Sequence, residues 1–384
     1  MQRSVWAQRG RDAITKDYSL GTRIMVDSLN HEPHDFAAHG AAGRGDAREV
    51  VFVAKFDLEY PLPEKVQQVK FGLPPINSFR FVASILSNLW KVRNGTAIFV
   101  SLPKGEELLF LFMAKMLYGR RLTTFTFDLN LTAPRTQLQR IVARMKRVLL
   151  RGIDVFICMH KDVSGYARAY GIPPDRCEYV AFKPNNWDLV DAIVSRDGDY
   201  VVALGASHRD YRLLIEAVRD VGIPVKIILP RERIKMHNAV LGESPLPANV
   251  EHFETHDGRV GWNRYMAESR LVVIPILPGV IQPAGVSVYL EAMALGKPVV
   301  ITRGASTEGI LDDRLAVLVP PGDAPALRAA ILEVWNDEAL RRSLGAAAKA
   351  YARSLGDHKR LVADLRDVIQ RKRRAEAGPA VFGQ

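Results

Sequence analysis

Cysteine is nearly absent: Cys158 and Cys177 are the only two in 384 residues. So few thiols exclude a disulfide framework, and they suit a reducing cytoplasm. Long apolar runs are missing too. The longest candidate, LLFLFMAKML over 108–117, is interrupted by Lys115 and falls well short of the roughly 20 residues that cross a bilayer. The N-terminal stretch MQRSVWAQRGRDAITKDYSLG has charge but no continuous apolar core, so it does not read as a secretory signal. Helix-turn-helix, zinc-finger and RNA-recognition signatures are absent as well, which argues against nucleic acid as the partner. What the chain does have is positive charge, +11 in all, and a basic surface attracts phosphate on a nucleotide or on anionic lipid.

Hydrophobic residues make up 48% and charged residues 25%, the balance of a globular protein. A chain of this length exceeds what one core usually organises, so two domains are expected. Residues 1–48 follow neither a helical nor a strand period and read as a loose tail. Its histidines His31, His34 and His39 have no cysteine partners or scaffold, which disfavours a metal site.

From Val50 short apolar runs alternate with helical segments: VVFVAKF, FRFVASILSNLWKVR, TAIFVSL, GEELLFLFMAKMLYG, LTTFTFD, PRTQLQRIVARMKRVLLRG, VFICMH and CEYVAF. The alternation restarts at YVVALG and runs through LVVIPI, VYLEAMALG, PVVIT and AVLVP to closing helices. Such alternation predicts β-α-β units and parallel sheets. The expected fold class is α/β, with two Rossmann-like domains facing a cleft beyond the carboxyl ends of their strands. Expected boundaries are 49–190 for the first domain, 191–355 for the second, and 356–384 for a C-terminal helix returning toward the first.

The stretch QPAGVSVYLEAMALGKPVV, 282–300, carries the most chemistry. Its glycine loop opens a helix, and backbone N–H groups at a helix N-terminus suit a diphosphate. Glu291 reads in two ways: as a helix-start carboxylate facing the macrodipole, or as an acceptor for a ribose diol. The stretches GVSVYLEAMALGKPVV, TEGIL, LAVLVPPGDAPALRAAILEVWND and GASHRDYRLLIEAV resemble, in order and spacing over about 150 residues, the C-terminal domain of group-one retaining glycosyltransferases of the GT-B fold (family 4-like).

The resemblance implies transfer of a sugar from a nucleoside-diphosphate-sugar donor, a co-substrate, with no cofactor and no metal, by an enzyme of hexosyltransferase type. The acceptor it allows is a glycan or lipid-linked saccharide in cell-surface polysaccharide or glycolipid synthesis. It implies donor contacts from Gly205, Ser207, Arg209, Gln282, Gly285, Val286, Ser287 and Glu291. Arg209 would stabilise the charge on the departing diphosphate. The sequence departs from the family where Gln282 stands for an earlier glutamate, where Ala206 replaces an arginine, and where KFDLEYPLP replaces the first glycine-rich loop.

An inverting transfer needs a base on the N-domain side of the cleft. Asp128 ends LTTFTFD and is the first candidate; turn capping is the alternative reading for it. His160 ends VFICMH and is the second, with simple strand closure as its alternative. The helix PRTQLQRIVARMKRVLLRG has no acidic residue. Its apolar positions recur at three and four, which predicts a core-facing side. Arg140, Arg144, Lys146, Arg147 and Arg151 on the remainder suit an anionic surface. The expectation is a cytoplasmic protein, peripheral on the inner face of the plasma membrane. The alternative is a catalytically weak GT-B partner or docking subunit of a glycosyltransferase complex; an epimerase on the same fold is less favoured.

Overall fold

The computed structural model describes residues 49–56, 66–184, 187–230, 238–242, 245–254 and 258–377. The tail expected over 1–48 lies outside the described residues, as does most of KFDLEYPLP. The first half builds strands β1 (Glu49–Ala54), β2 (Val66–Lys70), β3 (Ala97–Ser101), β4 (Thr123–Phe127), β5 (Val155–Cys158) and β6 (Cys177–Tyr179). Its helices are α1 (Phe81–Val92), α2 (Gly105–Tyr118), α3 (Gln137–Leu150) and α4 (Ser164–Tyr170). After α5 (Trp187–Ala192), the second half has β7 (Val201–Leu204), α6 (Tyr211–Val218), β8 (Val225–Ile228), β9 (Val250–Phe253) and α7 (Gly258–Ala267). It continues with β10 (Leu271–Ile274), α8 (Val286–Ala294), β11 (Val299–Thr302), β12 (Val317–Val319), α9 (Ala324–Asn336), α10 (Glu338–Leu355) and α11 (His358–Ala377).

The strands form two six-stranded sheets, ordered β2-β1-β3-β4-β5-β6 and β12-β11-β10-β7-β8-β9. All pairings are parallel. In each order the chain starts inside the sheet and later crosses to the other side. The switch points fall between β1 and β3 and between β7 and β10, the places where open parallel sheets bind ligands. The Val, Ile and Phe runs become strands because both of their faces are covered: β3, β4, β7, β10 and β11 are buried throughout.

Strand β2 is not among the apolar runs read from the sequence: VQQVK is polar and lies between Pro61, Pro63, Pro74 and Pro75. Its polar composition suits an edge strand, and it pairs with β1 alone.

Helices α1 to α4 share one hydrophobic cluster on one face of the first sheet. On the other face, Leu361, Val362, Leu365, Val368 and Ile369 of α11 join the cluster holding Val51, Phe99, Phe125 and Ile157. Lys183 pairs with Asp364 at 2.7 Å, and Arg371 with Glu178 of β6 at 2.7 Å.

The expected core side of α3 is corrected by the structure. Leu138, Ile141, Val142, Met145 and Val148 stay 42–70% exposed, and only Ala143 and Leu150 of the helix are buried. The helix rests on its small alanine and its last turn, leaving the wide apolar side uncovered.

The two halves meet closely at Gly165 of α4. A β-carbon there would lie 2.5 Å from the Ile281 side chain of the second half. Gly165→Val is therefore expected to cost about 1–3 kcal/mol of stability through overpacking. Thermal unfolding reads this cost, and an unchanged midpoint together with an unchanged scattering radius would refute the contact.

Candidate active site between the two sheets

The second-half wall is built from the loops following β7 and β10. They are joined backbone to backbone: Leu277 N–H donates to His208 O at 2.9 Å, Asp210 N–H to Pro275 O at 3.0 Å, and Arg209 bridges to Ile276. Asp210 caps α6 by accepting from Leu213 N–H at 3.1 Å. These backbone bonds set the loop that carries Gly205 and Ser207 beside the loop that leads to Gln282 and Gly285, at the β7/β10 switch point.

Arg209 departs from its expected place. It is 1% exposed, with Nη1 donating to Ser207 O at 2.7 Å and Nε to Leu204 O at 3.3 Å. Its guanidinium is folded under its own loop and satisfied by carbonyls there, so it shapes the loop and does not present a cation to the cleft. Burial lowers its pKa. The packing also explains Gly205, which has φ +98° and whose β-carbon would lie 2.8 Å from Arg209 Nη2.

His208, which the sequence reading passed over, is also largely buried, at 9% exposed, but lines the cavity between the two halves. It adopts φ +56°, uncommon for a side-chain-bearing residue and a mark of constrained sites. Its Nδ1 lies 3.3 Å from Gln282 Nε2 and 3.2 Å from Ser207 Oγ. Its Nε2 lies 3.5 Å from Asn238 Nδ2, so both ring nitrogens face polar side chains. The only sequence signal was a histidine three residues after Gly205, the glycine that follows β7. Its partner Gln282 lies 74 residues further on.

His208, Asn238, Gly279 and Gln282 face Thr132, Arg135 and Gln139 of the first half across a cavity of about 120 Å³. Arg135 Nη2 donates to Pro278 O at 3.1 Å and Lys161 Nζ to Gly309 O at 2.8 Å, fastening the two walls at their edges.

Helix α8 begins at Gly285, which has φ +93° and offers no side-chain cap, so its first-turn amides need other acceptors. Ser287 and Glu291 are four apart and share a face of α8. Helical side chains lean toward the N-terminus, which carries the Glu291 carboxylate toward the cleft end. Glu291 is the sixth residue of α8 and is buried, and the first turn holds no acidic residue. The helix-start reading of Glu291 therefore falls. The lysine that follows, Lys297, is buried and donates to Arg196 O at 2.6 Å and to Ala267 O at 3.2 Å. It ties helix ends together, and burial brings its pKa down to about 8.

On the first-half wall, Lys55, Leu102 and Asp128 follow β1, β3 and β4, and all three have positive φ. Each strand thus turns sharply at its cleft end. The half-buried Asp128 carboxyl is pushed up to about 7 by desolvation. Tyr166 lies beside it, donating to Leu129 O at 2.7 Å. His160 packs edge-on against Tyr166, ring centroids 5.0 Å apart. It is 2% exposed, neither ring nitrogen has a partner among the described residues, and burial lowers its pKa to about 4. The structure thus brings Asp128, Tyr166 and His160 together at the carboxyl ends of β4 and β5.

Among the described residues, no group of three or more His, Cys, Asp or Glu side chains could hold a metal. The Asp197–Gly198–Asp199 triplet lies at the opposite end of the second sheet, before β7, where Asp197 accepts from Arg341 at 2.7 Å and 3.2 Å. No described helix is long and apolar enough to cross a membrane.

The family model described as glycosyl transferases group 1 matches residues 200–337. An uncharacterized glycosyltransferase of Methanocaldococcus jannaschii is 29% identical over 167 residues, 42% of this chain and 46% of the relative. The chain thus matches about half the length of that curated relative. Among solved structures, Anabaena HepE in complex with UDP and glucose aligns with a TM-score of 0.59 at 14% identity, over 84% of this chain and 99% of that one. Sucrose-phosphate synthase of Thermosynechococcus elongatus aligns equally well, with a TM-score of 0.59 at 14% identity over 85% of this chain and 100% of that one. At such identities the likeness is one of fold, and the sheet orders agree with it. The chain has the GT-B fold, and its residues 200–337 match the family model of group 1 glycosyl transferases.

Proposed function

We propose that the protein is a glycosyltransferase that moves a sugar, of hexosyl type, from a nucleoside-diphosphate-sugar donor to a glycan or lipid-linked saccharide acceptor. The observation that carries this reading is the joined wall at the β7/β10 switch point. There the Gly285 turn opens α8, Glu291 leans toward the same end, and His208 and Gln282 bridge the two loops. The diphosphate lies against the amides of Gly285, Val286 and Ser287, with Ser207 and His208 on its other side. The ribose diol donates to Glu291. Charge on the departing diphosphate is met by these preorganised donors, with no metal required.

The N-domain supplies acceptor chemistry. Asp128 is the base that takes the acceptor proton, and neutral His160 beside Tyr166 is a second polar group for acceptor hydroxyls. The exposed apolar side of α3, flanked by Arg140, Arg144, Lys146, Arg147 and Arg151, rests on an anionic membrane surface. That position suits a lipid-linked acceptor and a role in polysaccharide or glycolipid synthesis at the cytoplasmic face. The uncharged Gln282 and the buried Arg209 favour a second reading, a catalytically weak docking partner that keeps the fold.

Titration calorimetry of the full chain with UDP, GDP and ADP at fixed salt separates the readings. UDP is tried first because Anabaena HepE was solved with it. Binding of one nucleotide, followed by acceptor-dependent release of that nucleotide from its sugar conjugate, is the expected result. Failure of all three to bind would sink the donor site.

A further inference from the structure

Away from the cleft, at the amino ends of β5 and β6, the first half encloses a larger cavity of about 340 Å³. It lies between the last turn of α3, the end of α4 and the short turn Pro174–Arg176. Leu150, Phe156 and Ile172 make a buried apolar floor. Arg147, Arg151 and Arg176 stand around it.

None of the three arginines has a carboxylate within 4 Å among the described residues. Arg147 donates to Arg168 O at 3.0 Å and to Ala169 O at 3.3 Å, and Arg176 donates to Ile153 O at 3.4 Å. Neutral carbonyls orient the Arg147 and Arg176 guanidinia without cancelling their charge. Oriented, uncompensated guanidinia over an apolar floor match a phosphate that carries a hydrocarbon tail.

The surroundings point to the source of that phosphate. Residues 66–154 hold fourteen Lys and Arg against four Asp and Glu, a net +10 out of the chain's +11. Of fourteen large hydrophobic side chains exposed among the described residues, twelve lie between Ile76 and Val148. They include Val82, Leu86 and Trp90, spaced four apart on α1, Met116 and Leu117 at the end of α2, and the stripe on α3. Arg80 and Arg93 sit over the Phe79 and Trp90 rings at 5.2 Å and 3.8 Å. Such a surface, apolar and basic together, complements an anionic bilayer rather than a soluble nucleotide.

We propose that the Arg147–Arg151–Arg176 pocket binds the phosphate of an anionic phospholipid headgroup, whose acyl chain runs along the exposed side of α3. The proposal rests on the membrane reading above and deepens it by naming the lipid contact. Helix α3 runs about 21 Å from the cleft edge to this pocket. A headgroup held at its far end lays the helix along the bilayer, with the cleft mouth at Arg135 at the other end.

The test uses the full chain and vesicles of phosphatidylcholine with or without phosphatidylglycerol. Two double variants remove equal charge: Arg151→Gln with Arg176→Gln in the pocket, and Arg140→Gln with Arg144→Gln outside it. Thermal melts verify that each is folded. The pocket pair is expected to weaken vesicle binding at least about 10-fold more than the outer pair, because it removes two guanidinia that line one cavity and can bond a single phosphate, as well as charge. Dihexanoyl phosphatidylglycerol below its micelle concentration is expected to bind wild type and not the pocket pair.

Equal losses from both pairs would overturn the pocket while leaving membrane docking intact. Wild type that ignores anionic vesicles would overturn both. Inorganic phosphate binding as tightly as the short-chain lipid would reassign the pocket to free phosphate and overturn the lipid contact.

Discussion

Asp128→Asn slows sugar transfer by about 10²- to 10⁴-fold, the range for removing a positioned general base, with nucleotide affinity unchanged. The expectation follows from where the side chain stands. Asp128 ends β4 at the cleft, turned by a φ of +54°, and desolvation brings its carboxyl to about 7. A base is most effective when its pKa lies near the working pH, so wild-type kcat rises as pH passes through about 7 and levels above it. The amide has no ionisation there, and its profile stays flat across that interval. Stability moves in the opposite sense. Between the ordinary value of 3.8 and about 7 the folded chain holds a proton that the unfolded chain has released. This group's stabilising share is therefore complete below 3.8 and is lost as pH rises through about 7. Stopped assays with an acceptor across the pH range measure the first effect, and denaturant midpoints measure the second. An Asn variant at wild-type rate would remove Asp128 from the chemistry and leave it a turn residue.

The second large effect is on donor binding. Glu291→Ala weakens nucleotide affinity by about 10- to 150-fold, the loss of charged hydrogen bonds worth about 1.5–3 kcal/mol. Glu291 is 5% exposed on a helix buried almost throughout, so alanine also leaves a void and lowers the melting temperature. Glu291→Gln keeps the volume and separates the two consequences. The amide is expected to restore most of the stability and only part of the affinity, since its oxygen still accepts but without charge. A glutamine variant that binds nucleotide like wild type would show that the carboxylate only shapes α8. That result would move the ribose contact elsewhere on the wall.

Much of this was legible in the chain itself. Alternation of β-branched runs with helical segments specified two parallel sheets, because strands buried on both faces need continuous apolar runs. The glycine before VSVYLEAMA marked the start of α8, since only glycine readily takes its φ of +93°. Strand β2 was illegible for the converse reason: VQQVK pairs along one edge only and carries no apolar signature. Asp128 was legible as a strand end, whereas its raised pKa depends on walls contributed by distant segments.

The side that α3 turns outward was decided by tertiary structure alone. Its three-and-four pattern is the same whether the apolar side meets a core or a bilayer, and only packing against the first sheet showed that Ala143 and Leu150 make the contact. Arg209 and His208 give the same lesson at closer range. The sequence placed both in the loop after β7, and the family resemblance implied Arg209 as a ligand of the diphosphate. The folded loop turns the arginine under itself to satisfy buried carbonyls and lifts the histidine toward Gln282. The sequence alone determined which of its apolar runs become strands and helices, because that choice rests on side-chain periodicity and neighbouring backbone preferences. The tertiary structure decided which of their side chains face solvent or the cleft, because burial depends on groups far away in the chain that compete for the same space and hydrogen bonds.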